Sequence, residues 1–297
     1  MRAPEFEASL HDAALYPQTW RLLLGAGLAL LMWLSLSVLI VSAAVAVVAA
    51  GQGAFGIMPF VNGLATPDTP AKVILLLSTF SGLALGAIVA AAALHFRGPG
   101  SLLGPWSEWW RGFVTALAVL VPVYAVLVGL SIASGAPEPN LAPARWAAVL
   151  PLGLLALFVQ IAAEELFFRG YLQQQLAVRF RARWVWMWIP AAIFAVLHTN
   201  PAAGANLPLV LLAALTFGLV AADLTERTGS LGAAMGLHLG NNFFGLFVVA
   251  TADTITGLAL YVSPGEIGET GVQSLAMAGS VILLLIVWAI TARLLDR

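Results

Sequence analysis

The chain has 297 residues, 61% of them apolar and only 9% charged, with a formal net charge of −1. A soluble domain carries about 25% charged residues, so this composition describes a multi-span membrane protein and excludes a soluble enzyme or a nucleic-acid binder. The absence of cysteine excludes disulfides, thiolate nucleophiles and cysteine-bound zinc.

In chain order, residues 1–19 read as a short cytoplasmic or interfacial segment and 20–297 as a single transmembrane helical domain. Eight apolar stretches are long enough to cross a bilayer, near 20–50, 72–95, 112–134, 147–176, 184–200, 207–223, 230–250 and 272–292. The fold class is therefore an all-α integral membrane protein, a bundle of about eight transmembrane helices. The first stretch far exceeds a signal-peptide core and lacks a cleavage site, so it is retained. Turn residues mark the breaks, such as Gly98-Pro99-Gly100, Asn200-Pro201 and Thr228-Gly229-Ser230, and 251–271 reads as an outer loop.

Charge orients the bundle. With the N-terminus inside, the cytoplasmic side receives Arg2, Arg21, Arg97, Arg111, Arg179, Arg181, Arg183, Arg227, Arg293 and Arg297, and the other side only Lys72 and Arg145. That asymmetry places both termini in the cytoplasm and requires an even number of spans. Trp20, Trp106, Trp109, Trp110, Trp146 and Trp184 sit near boundaries as interfacial anchors. Gly82 and Gly86 mark a close-packing face, within the chain or between two copies.

Four polar residues lie in otherwise apolar stretches: Glu164, His198, His238 and Asn242. A charge at the centre of a span costs roughly 2.5–3.5 kcal/mol on insertion scales, so such residues locate a functional site. Glu164 precedes Arg179 by 15 residues and His198 follows Arg183 by 15. Both then lie about 22 Å along their helices from the basic turn, and His238 and Asn242 about 17 and 22 Å beyond Arg227. The three helices bring their polar groups to one depth.

Helical phase adds detail. His238 and Asn242 share one face, while Gly232, Gly236 and Gly240 form a small-residue row about half a turn away that suits close packing. Phe194 shares a face with His198, and as a single aromatic residue it reads as core packing. Glu165 and Arg169 stand at i and i+4, acid first, the favourable order for an ion pair. Glu164 is left without a local cation and is the better general base. Gln160, one turn earlier, points toward the same cavity, and Asn241 points about 100° from Asn242 and caps or bridges helices. His11 and His95, near span ends, read as interfacial or loop residues.

Glu164-Glu165-Leu166-Phe167-Phe168-Arg169 resembles the EExxxR motif of the CPBP intramembrane proteases, the CAAX-protease and bacteriocin-processing group. Phe194 to His198 is similar to that group's FxxxH, and His238 to Asn242 to its HxxxN. The resemblance covers about 155–250 and places a protease core at about 147–250. It implies a glutamate-dependent endopeptidase in which Glu164 and His198 activate a water, His238 and Asn242 stabilise the oxyanion, and Glu165, Arg169 and Phe194 support them.

A metal is a separate question. Glu164, His198 and His238 make the donor set for a three-ligand zinc site with an open position. No HExxH occurs, and Glu165, the replacement base such a site would need, is engaged by Arg169. The favoured reading has no cofactor, with zinc as the alternative. A non-catalytic scaffold or immunity-type factor on the same fold is the rival function, ahead of a transporter, which would show repeated halves and broken helices. The arginine-rich, lysine-poor composition suggests a bacterial inner (plasma) membrane. The expected partners are the lipid bilayer and a membrane-anchored or leader-peptide substrate, lipidated or not.

Overall fold

The computed structural model describes residues 2–296, so Arg297, one of the ten arginines assigned to the cytoplasm, lies outside it. Short helices α1 (Pro4–Ser9) and α2 (His11–Ala14) precede the 34-residue α3 (Thr19–Gln52). The chain continues through α4 (Ile57–Asn62), α5 (Pro70–Ser78), α6 (Ser81–His95), α7 (Gly100–Leu103) and α8 (Trp106–Ala133). Then come α9 (Pro143–Glu165), α10 (Gln174–Arg179), α11 (Arg183–Leu197), α12 (Leu207–Thr228), α13 (Gly232–Phe243) and α14 (Val272–Leu295). Pro70 and Pro143 open their helices where a missing N–H costs nothing. Gly229, at φ 60°, closes α12 in the left-handed conformation. The break between α5 and α6 falls where Ser78, Thr79 and Ser81 turn their hydroxyls onto carbonyls three or four residues back.

Six helical stretches are long and apolar enough to cross a membrane: Thr19–Gln52, Pro70–His95, Trp106–Ala133, Pro143–Arg179, Pro201–Thr228 and Val272–Leu295. The chain is a multi-pass membrane protein. Two stretches counted as spans in the sequence are too short to qualify. Helix α11 has 15 residues and stops at Leu197, three before the turn that Asn200-Pro201 predicts. Helix α13 has 12 and passes into a π-helical turn, Phe244–Val248, which feeds a strand.

That strand corrects the all-helical expectation. β2 (Val249–Ala252) pairs in parallel with β3 (Tyr261–Glu266), which pairs antiparallel with β1 (Glu138–Pro139). Thr251, Ala252 and Tyr261–Glu266 of the expected 251–271 loop are thus part of a small sheet at one end of the bundle, and the rest stays irregular. At the opposite end the two ends of the chain meet. Asp296 pairs with Arg227 at 2.7 Å, Arg111 donates to the Leu295 carbonyl at 3.1 Å, and α1 packs beside the end of α12. Trp109 is not an interfacial anchor. It is buried, stacked between Trp106 and Phe113, with its indole N–H on the Met235 sulfur.

Both glycine rows pack helices within the chain. A Cβ on Gly82 would stand 2.8 Å from the Met32 carbonyl, and one on Gly86 2.7 Å from the Ala29 backbone, so α6 lies against α3. Gly232, Gly236 and Gly240 face Trp109, Phe113 and Leu120, seating α13 on α8. A Cβ on Gly236 would lie 2.5 Å from the Phe113 carbonyl, backbone that cannot yield cheaply. Gly236→Val is expected to cost at least about 1–3 kcal/mol by overpacking. Its thermal unfolding in detergent should shift downward; an unchanged transition would show that α13 does not rest on α8 there.

Candidate active site

With its glycine face on α8, α13 turns His238 and Asn242 toward α9. Glu164 and Glu165 close α9, and the next eight residues, Leu166–Gln173, form a π helix carrying Arg169. Such widened turns are rare and often accompany functional sites. Helix α11 contributes its end, at His198, rather than its middle.

Glu165 is fully buried and accepts two bonds. Arg169 Nη1 donates to its Oε1 at 2.9 Å and His238 Nδ1 to the same oxygen at 2.8 Å. The Arg169 guanidinium lies 4.9 Å from the Phe194 ring centroid and 5.6 Å from that of Phe217, and Nη2 reaches the Gly218 carbonyl at 3.3 Å. Aromatic faces and one carboxylate therefore surround the cation, which suits a charge removed from water. The predicted i, i+4 pair is present, and His238 extends it.

Because Nδ1 of His238 donates to Glu165, its Nε2 is directed elsewhere, and it stands 3.5 Å from Glu164 Oε2. That oxygen is buried and has no hydrogen-bond partner among the described residues. His198 caps α11. Its Nδ1 donates to the Phe194 carbonyl at 2.8 Å, which leaves Nε2 with a lone pair while the ring is neutral. The His198 ring lies 4.3 Å from that of Phe194. Among the described residues His198 bonds to neither Glu164 nor His238, so the structure brings Glu164, Glu165, Arg169 and His238 into contact and keeps His198 across a space.

Asn242 belongs to a second network. Its Nδ2 donates to Gln160 Oε1 at 3.3 Å, Asn241 Nδ2 donates to its Oδ1 at 3.2 Å, and Tyr124 donates to Asn241 at 3.0 Å. Asn241 thus bridges to α8 as its phase suggested. Tyr124 carried no signal in the sequence, being one aromatic residue in an apolar helix.

Two cavities flank the site. The larger, about 430 Å³, lies among α11, α12, α13, α14 and β2 and is walled by His198, His238, Asn241 and Asn242, with Thr251, Ser280 and otherwise apolar side chains. The smaller, about 120 Å³, lies among α3, α6, α9 and α11 and contains Glu164. Phe194 and His198 line both. At the sheet end, Asp253 beside Glu266 holds the Glu266 carboxyl above its usual range. His95 is not a loop residue: it is buried, with Nδ1 on the Tyr16 carbonyl and Nε2 on the Tyr171 hydroxyl, away from the site. Among the described residues no three His, Asp or Glu side chains form a group able to hold a metal ion, and Glu164, His198 and His238 are not such a set.

Residues 146–244, about a third of the chain, match the family described as type II CAAX prenyl endopeptidase Rce1-like, which supports assigning this segment to the CPBP/CAAX protease family. Over 114 residues the chain is 32% identical to the uncharacterized protein YyaK of Bacillus subtilis (strain 168). The aligned stretch covers 38% of each chain, so this protein spans about two-fifths of that relative's length. No solved structure matches.

Proposed function

We propose that this chain is an intramembrane endopeptidase of the CAAX-protease type, hydrolysing a peptide bond through a water activated by Glu164 and His198. One observation carries the reading: the Glu164 carboxylate is buried, unpartnered at Oε2, and faces a histidine fixed by a second carboxylate. A buried acid without a partner is costly, and a general base needs such an open valence. Glu165 and Arg169 cancel in charge. One further proton shared between Glu164 and His238 would leave the whole group neutral.

The chemistry then divides among these residues. The water gives its proton to Glu164 or to the free Nε2 of His198, and its oxygen bonds to the peptide carbon as the carbonyl π bond opens. The oxyanion draws on the second Nδ2–H of Asn242 and on His238 Nε2–H when that ring holds the shared proton. Collapse breaks the C–N bond, and the stored proton passes to the departing amine. The cavity of about 430 Å³, largely apolar, suits an apolar membrane-anchored or leader-peptide segment, lipidated or not. The charge asymmetry, with both chain ends at one end of the bundle, supports cytoplasmic termini in a bacterial inner membrane.

Comparison of protein termini in membranes carrying the wild type, Glu164→Ala or His198→Ala tests the activity, once each variant is shown to insert and fold. Specific C-terminal or leader cleavages should vanish in both variants. Unchanged processing would reject the protease and favour a scaffold.

The reaction proposed uses no metal, a reading supported by the ion-paired state of Glu165 and by the donor geometry. Purified enzyme should keep its full rate in EDTA and phenanthroline. Stoichiometric bound zinc, with activity lost on its removal, would overturn this.

A further inference from the structure

A tryptophan that the reaction scheme leaves unused helps to wall the smaller cavity. Its walls are Leu30 and Trp33 of α3, Phe80, Leu83 of α6, Glu164, Phe167 and Phe168 on the α9 side, and Phe194, Leu197 and His198 on the α11 side. Trp33 Nε1 is buried and has no acceptor among the described residues. Glu164 Oε2, in the same walls, is buried and lacks a donor. His198 completes the polar lining, with Nδ1 already committed to the Phe194 carbonyl. Every other wall residue is apolar.

Two orphaned groups of opposite kind on residues that wall one small cavity call for a shared partner, because a buried N–H or carboxylate oxygen left bare costs about 1–3 kcal/mol or more. Water is the partner of the right size. One molecule occupies about 30 Å³ in the liquid and needs two to four polar neighbours. About 120 Å³ lined by an N–H donor, a carboxylate and an imidazole meets both conditions. Lipid cannot serve, since a hydrocarbon chain offers no acceptor.

We infer that this chamber holds the hydrolytic water, with Trp33 as a positioning residue that hydrogen-bonds it beside Glu164 and His198, while the larger cavity receives the peptide. Phe194 and His198 form the partition. Their rings stand 4.3 Å apart and line both spaces, and in this layout water reaches the reacting carbon past His198. This layout draws on α3, which lies outside the matched segment 146–244 and carries none of the three motifs. The kinetic consequence rests on the proposed hydrolysis; the hydration of the chamber does not.

Two measurements separate these. In protein labelled with ¹⁵N-tryptophan in detergent micelles, the Trp33 indole N–H resonance is identified by its loss in Trp33→Phe. It should show a cross-peak to water and should shift in Glu164→Gln. A resonance lacking the water cross-peak, or unmoved by Glu164→Gln, overturns the inference. In the cleavage assay, with the client peptide returned by the terminal comparison, Trp33→Phe should lower kcat roughly tenfold, about what one hydrogen bond contributes, at unchanged KM. A rise in KM at unchanged kcat would make Trp33 part of the peptide site and overturn the division. If Glu164→Gln keeps full cleavage, the hydrolytic reading fails instead, and the resonance test still decides whether the chamber is wet.

Discussion

Glu164→Gln is expected to reduce peptide cleavage by about 10²–10⁴-fold while leaving the fold intact. The amide keeps the volume and one oxygen of the acid but cannot take the proton of water. A hundredfold loss corresponds to about 2.7 kcal/mol of transition-state stabilisation. Stability should change little, since Glu164 Oε2 makes no hydrogen bond that the substitution removes. The neighbouring Glu165→Gln should behave differently, because Glu165 Oε1 serves both Arg169 and His238. Rates with the same client peptide, paired with unfolding transitions in detergent, separate the two acids. If Glu164→Gln retained wild-type turnover, the base would have to be sought elsewhere. If it lost activity only by unfolding, Glu164 would be structural.

Much of this difference between adjacent acids was legible in the sequence, because a helix turns about 100° per residue and Arg169 stands four residues after Glu165. The glycine rows were legible for a similar reason: glycine recurring every fourth position in an apolar helix leaves only backbone to meet its neighbour. The π turn at Leu166–Gln173 was not, since apart from Gly170 its residues are common in α-helices and the widening depends on what packs around them. The end of α11 at Leu197 was also hidden, because apolar character runs past the point where the backbone leaves the helix. The sheet could not be read locally. Its register joins Glu138 to Val262, residues far apart in the chain whose strands are short and contain Pro139, Pro264 and Gly265. Trp33 was invisible for the same reason: nothing in an apolar helix marks which of its residues will share a cavity with a glutamate 131 positions later. Motifs reveal the groups that share a helix; the spaces between helices arise only from assembly.

Arg169 offers the larger effect on stability, and its sign follows from burial. Its side chain is 1% exposed and that of Glu165 is not exposed at all. Arg169→Met therefore removes the counter-charge of a carboxylate that water cannot reach, and breaking one partner of such a pair costs about 3–5 kcal/mol. The unfolding transition should fall well below that of Glu165→Gln, which leaves a cation among the faces of Phe168, Phe194 and Phe217 and a carbonyl of Gly218. Glu165→Gln with Arg169→Met removes both charges and should recover much of the lost stability, giving a coupling energy outside the 0.5 kcal/mol or so expected of independent sites. Activity should not recover, because a neutral amide opposite His238 Nδ1 no longer stabilises the doubly protonated ring that the oxyanion step draws on. Additive losses in the double variant would show that the pair is not coupled. Recovered turnover would show that His238 works without a charged partner, and would leave Glu165 and Arg169 as packing alone.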